Sequence, residues 1–77
     1  MTLDKLIKQT FKLSEEMIVD DDVGPGDLDG WDSLGHINLM NAIENTYSIS
    51  LDMDEMISIE TVADIRELLS EKGISEF

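Results

Sequence analysis

Seventy-seven residues carrying eighteen acids against five bases, a formal net charge of −13 and no cysteine exclude several kinds of protein. A chain this short closes one thin core and has little room for an enclosed active site as well, which favours a binding, carrier or regulatory role over a self-sufficient enzyme. Disulfides and thiolate zinc sites need cysteine, nucleic acid and anionic membrane surfaces repel such a charge, and no apolar run is long enough for a bilayer span or a signal peptide.

One domain over residues 1–77, in the cytoplasm and monomeric, is therefore expected. The bases Lys5, Lys8, Lys12, Arg66 and Lys72 sit near the two ends. The middle is left to acids and the lone His36, a polarity that steers basic patches of partner proteins toward it.

In chain order, Leu3 to Leu13 has the spacing of an amphipathic helix, with Leu3, Leu6, Ile7, Thr10 and Phe11 on one face, Thr2 as its cap and Asp4 in its first turn. Ser14-Glu15-Glu16 follows, and Met17 and Ile18 are expected to dip back onto the core. From Val19 to Asp32 the density of Asp, Gly and Pro forbids a long helix, so this is a loop, with Val23 and Leu28 as its anchors. Neither calcium-loop frame fits: starting at Asp20 puts Trp31 at the twelfth position, and starting at Asp27 puts Asn38 there, where a bidentate glutamate is needed. No dedicated metal site is expected, only weak divalent binding that relieves repulsion between the acids.

A second helix should run from Ser33 to Tyr47. Leu39, Met40, Ile43 and Tyr47 cluster on its inner side with Ile37 on the shoulder, while Asn38, Asn41 and Asn45 lie opposite. Two residues are notable. Leu34 is an apolar residue on the polar face, immediately after a serine. Ser33 falls on the first turn, where Asp32 as N-cap takes one orphan amide and further N–H groups point outward at the positive end of the helix dipole. An anion esterified there is stabilised in place. His36 lies one turn on and is expected to cap or pack: no acid is placed to orient it and no oxyanion hole is suggested, which argues against a serine hydrolase.

Ile49 and Leu51 are candidate core contacts in a short link. Asp52 to Ile57 has the look of a helix of one or two turns with acids at its start. Thr61 to Lys72 is a final amphipathic helix, with Thr61 and Asp64 in capping-box spacing, Val62, Ile65, Leu68 and Leu69 inward, and Gly73 at its end. Met40, Met53 and Met56 could line a deformable gap between the second and third helices. The whole predicts an all-α fold, a small four-helix bundle of three long helices and one short.

Asp32-Ser33-Leu34 opening the second of three long helices, after a long acidic loop and before a short third element around Asp54 to Ile57, resembles the acyl carrier protein family over nearly the whole chain. The resemblance implies that Ser33 is esterified with the 4′-phosphopantetheine of coenzyme A by a phosphopantetheinyl transferase, and that the terminal thiol holds acyl intermediates as thioesters. The chemistry then belongs to the arm and the partners, so the chain is not an enzyme. Asp32 matches the acid before the serine and Leu34 the apolar residue that meets partner enzymes, with Ile37, Met40 and Glu44 as further contacts. The implied function is a stand-alone carrier in fatty acid, polyketide or related biosynthesis, meeting acyl-loading and acyl-processing enzymes that have basic docking patches.

Two departures point to a specialised carrier of polyketide, aminoacyl or peptidyl, or cell-surface chemistry. The second helix offers Gly35, Asn38, Asn41 and Asn45 where carriers of bacterial fatty acid synthesis have several acids, and Trp31 stands where a small residue is common. A long acyl chain withdrawing between the helices near Met40, Met56 and Ile59 is a hypothesis of the same reading. An acidic helical interaction module, regulated by phosphorylation of Ser33, would explain the acidity and Leu34 equally well, but gives no reason for a helix-start serine after such a loop.

Overall fold

In the computed structural model, which describes residues 2–75 and 77, helices form where an apolar stripe follows a side chain able to cap it. They are α1 (Leu3–Thr10), α2 (Ser33–Tyr47), α3 (Met53–Ser58) and α4 (Val62–Glu71), and no strand is present among the described residues. Thr2 Oγ1 accepts from Lys5 N–H at 3.3 Å and Asp32 Oδ1 from Gly35 N–H at 2.8 Å. Asp52 with Glu55, and Thr61 with Asp64, form reciprocal capping boxes. A cap of this kind is worth about 1 kcal/mol. No helix among the described residues is long and apolar enough to cross a membrane.

The helix ends are less legible than the starts. α1 was expected to reach Leu13 but stops at Thr10, because Lys12 turns left-handed at φ 56° and Leu13 N–H reaches back to Lys8 O at 2.8 Å. Ser48 (φ 55°) closes α2 in the same way, with Ile49 N–H on Glu44 O at 3.2 Å, and Gly73 (φ 87°) closes α4 with Ile74 N–H on Leu69 O at 2.9 Å. All three are bonds of six-to-one reach that satisfy the last carbonyls. Only Gly73 advertises the turn; a lysine and a serine in that conformation are held there by their surroundings.

The core is one cluster in which Trp31, Leu3, Ile7, Leu39, Met40, Ile43, Val62, Ile65 and Leu69 are sealed from solvent. Ile49, Leu68, Val23 and Leu28 pack against it half-buried, and Leu51 is buried. Three expectations are corrected. Met17 and Ile18 do not turn inward: a turn at Ser14 to Met17 sends the chain on so that only Val19 enters, leaving Ile18 81% exposed. Met53 does not line an interior gap, because α3 is too short to bury both of its sides and Met53 lies on the outer one, 62% exposed. Gly35, expected on the open polar face, is buried. The Tyr47 hydroxyl is enclosed without a hydrogen-bond partner, and burial raises its pKa above the usual 10.0, partly offset by the Arg66 charge.

The long connection is tied to α4. Val62 N–H donates to Val23 O at 2.8 Å and Ala63 N–H to Asp21 O at 3.0 Å, while Arg66 reaches Asp21 and Asp4, each at 2.9 Å. Gly24 is pressed so closely on the Glu60 carbonyl that a Cβ there would lie 1.9 Å from its oxygen. These contacts fix the loop's first half and orient its second half toward the start of α2.

Candidate functional site

Residues 24–35 form a small frame that carries Ser33. Asp27 Oδ2 accepts from Gly24 N–H at 2.9 Å, Gly26 N–H closes on Trp31 O at 2.7 Å, and Trp31 N–H on Leu28 O at 3.1 Å. Gly30 adopts φ 89°, and its carbonyl lies flat against Gly35: a Cβ on Gly35 would come within 1.8 Å of that oxygen. Only glycine at position 35 permits this approach of loop to helix. Phe11 covers both glycines, so α1 also holds the joint in place.

Trp31 is the keystone of the frame. Its ring stacks on Phe11, centroids 5.6 Å apart, and lies edge to edge with the nearly coplanar His36 ring, centroids 6.2 Å apart, so that three rings link the end of α1 to the first turn of α2. Trp31 Nε1–H donates to His36 Nδ1 at 3.0 Å, and His36 Nε2 lies 2.8 Å from the Met56 carbonyl. An indole nitrogen only donates, so Nδ1 is the acceptor and Nε2 carries the hydrogen given to Met56. Both ring nitrogens are thus committed to the fold, and His36 is not available to activate a hydroxyl.

With Trp31 turned in and Asp32 turned out, Ser33 is the first residue of α2 and exposed. Asp32 Oδ1 takes the Gly35 amide at 2.8 Å and Asp32 O takes that of His36 at 2.8 Å. Among the described residues the amides of Ser33 and Leu34 have no partner, and they lie at the positive end of a fifteen-residue helix. Beside the hydroxyl is an open cleft of about 490 Å³, lined by Pro25 and Gly26 of the loop, by Trp31, Asp32 and His36, and by Ile57 and Ile59. A second cleft, about 550 Å³ between Lys5, Lys8, Gln9, Lys12, Leu13 and Glu15, shares no residue with it. No group of three or more acidic or histidine side chains is gathered as a cation site among the described residues.

These features fit a phosphopantetheine. The phosphate would lie at the two open amides and the arm beside a partly apolar cleft. No lysine or arginine lines that cleft, so a body of this charge would not retain a loose phosphate, whereas a covalent ester would keep one here.

Of the other site residues expected from the sequence, Leu34 is 71% and Ile37 38% exposed, one turn apart on α2. Asp32 is exposed, with one oxygen committed to the cap. Met40 is corrected: it is sealed in the core, because its place on the wheel faces Leu39 and Ile43, and it cannot touch a partner. Glu44 is half-buried and turns one oxygen to the Leu51 amide at 2.9 Å, so it serves the link between α2 and α3 and leaves at most its other oxygen for docking. Sequence reasoning missed Ile57, 69% exposed on the cleft wall, and the Trp31–His36–Met56 link. The apolar residues of a six-residue helix give too few turns to show which side faces out.

Compared with known proteins, residues 2–69 match the family model for the phosphopantetheine attachment site. The fold is similar to the solution structure of a holo acyl carrier protein from Geobacter metallireducens, with a TM-score of 0.80 and 30% identity, over 92% of this chain and 84% of that one. No curated protein sequence matches.

Proposed function

The chain belongs to the phosphopantetheine-attachment family of carrier proteins, and from that premise we propose that Ser33 is its attachment point and that it acts as a stand-alone acyl carrier. Members of this family are carriers, not catalysts; they work through modifying and acyl-processing enzymes. The observation that carries the assignment is a serine exposed at the first position of α2, beside two open amides and the rim of a cleft. When attached, phosphopantetheine supplies a thiol that carries acyl groups as thioesters. Ser33 would tether it, Asp32 fixes the helix start, and the open Ser33 and Leu34 amides would hold its phosphate. Leu34 and Ile37 give a partner a small apolar foothold on a molecule of net charge −13, which suits brief, electrostatically guided encounters with basic patches.

Within the family, the exposed Asn38, Asn41 and Asn45, together with the engagement of Glu44, support a specialised carrier of polyketide, aminoacyl or peptidyl chemistry. The face that would present acids to a fatty-acid enzyme presents amides. Intact-mass measurement after incubation with coenzyme A, magnesium and a broad-specificity phosphopantetheinyl transferase tests the assignment. One phosphopantetheine should be gained by the native chain and none by Ser33→Ala. A gain that survives in Ser33→Ala, or none in a native chain shown to be folded, overturns it.

A further inference from the structure

An apolar group carried on the Ser33 arm has two ways to leave water: into the core between α2 and α3, or onto the open cleft that Ser33 itself borders. We infer that the Trp31–His36–Met56 link closes the first way, so that cargo lies in the outer cleft against Ile57 and Ile59 and not among the core side chains. The inference rests on Ser33 being the attachment point.

Three observations carry it. The link fastens α3 to the first turn of α2 through the 2.8 Å contact of His36 Nε2 with the Met56 carbonyl, and so ties the two helices together one turn from Ser33. Behind it stands Trp31, sealed from solvent, stacked on Phe11 and hydrogen-bonded to His36. Entry would part the His36 bond and displace an indole whose N–H would lose its acceptor, leaving buried polar groups unpaired. The outer cleft needs no such opening. It already shows Ile57, an apolar side chain 69% exposed on the outer side of α3 and on the wall of the cleft. Cargo resting there covers Ile57 and leaves its thioester in water, within reach of acyl-transferring enzymes.

The test compares the chain bearing free-thiol, acetyl and octanoyl arms, each verified by intact mass, by backbone amide shifts and by cleavage with hydroxylamine. Octanoylation should move the amides of Gly26, Ile57 and Ile59 and leave those of Leu39, Ile43 and Ile65 in place. The two thioesters should be cleaved within about twofold of each other, since protection follows the fraction of time a group is enclosed. In His36→Ala, with the link cut, the octanoyl shifts should spread to Leu39 and Ile43. Core shifts in the native chain, with octanoyl cleaved about tenfold or more slowly than acetyl, overturn the inference, as does a folded His36→Ala whose shifts stay confined to the cleft. If His36→Ala does not fold, the native-chain measurements decide alone. A chain that accepts no arm at Ser33 removes the attachment reading and this one together, an outcome distinct from a loaded chain whose cargo buries.

Discussion

Two helices of this bundle begin after a similar capping side chain, and their openings are put to different uses. At α4 the first three amides are all taken: Val62 by the Val23 carbonyl at 2.8 Å, Ala63 by that of Asp21 at 3.0 Å, and Asp64 by Thr61 Oγ1 at 3.3 Å. At α2, Asp32 takes the third amide and the first two, Ser33 and Leu34, are open. The positive end of α4 is used to hold the loop, and that of α2 is left for a ligand. A helix start is an anion seat only where the rest of the fold leaves it vacant, so the cap alone does not identify one.

The strongest way to break this comparison is to disturb the two glycines on which each opening rests. Gly35→Ala drives a methyl into the Gly30 carbonyl, and Gly24→Ala drives one into that of Glu60. Each should lower unfolding free energy in urea by about 1–3 kcal/mol, as overpacking against backbone does. The functional effects should separate. Both should slow the gain of phosphopantetheine, Gly35→Ala the more, because it displaces the first turn of α2 itself, while Gly24→Ala acts only through the loop that leads to that turn. Equal slowing in both would mean that the loop acts as one rigid piece.

A smaller effect sharpens the same point. Asp32→Ala and Thr61→Ala each remove an N-cap and should each cost about 0.5–2 kcal/mol, read from urea midpoints. Modification at Ser33 should slow in Asp32→Ala alone. The smallest effect concerns α3, whose cap Asp52 and third residue Glu55 bond each other. Its Glu55 carboxyl is held below its ordinary 4.5, first by the hydrogen bond from Lys72 and then by the Asp52 amide. Since the folded value is the lower one, the unfolded chain binds the proton more readily. The stability from these contacts is complete above 4.5 and is lost as pH falls through the depressed value. Glu55→Gln should therefore flatten the acid limb of a plot of urea midpoint against pH and leave loading of Ser33 unchanged.

What could be read beforehand followed from local chemistry. Thr2, Asp32 and Thr61 act as caps because a short oxygen side chain at the edge of an apolar period has one obvious use, and Ser33 inherits its place from Asp32. The bounds of α2 were legible for the same reason. The misses needed knowledge of distant partners. Lys12 ends α1 short of the expected Leu13, in a conformation usually left to glycine. Ile18 and Val19 are adjacent apolar residues, and only the turn before them decides which one enters. Met40 was expected both on the inner side of the second helix and as a partner contact, and its burial keeps only the first. His36 finds its second partner twenty residues away, and Arg66 joins Asp4 and Asp21 across 62 and 45 residues. No periodicity encodes such pairings.

The chain contains a single tryptophan, and the fold buries it against Phe11 with its N–H occupied by His36. That makes the molecule its own optical gauge. Light emitted by the sheltered indole should sit toward the blue and shift red whenever the segment around it is unseated, by a docking enzyme as readily as by heat, with no dye attached.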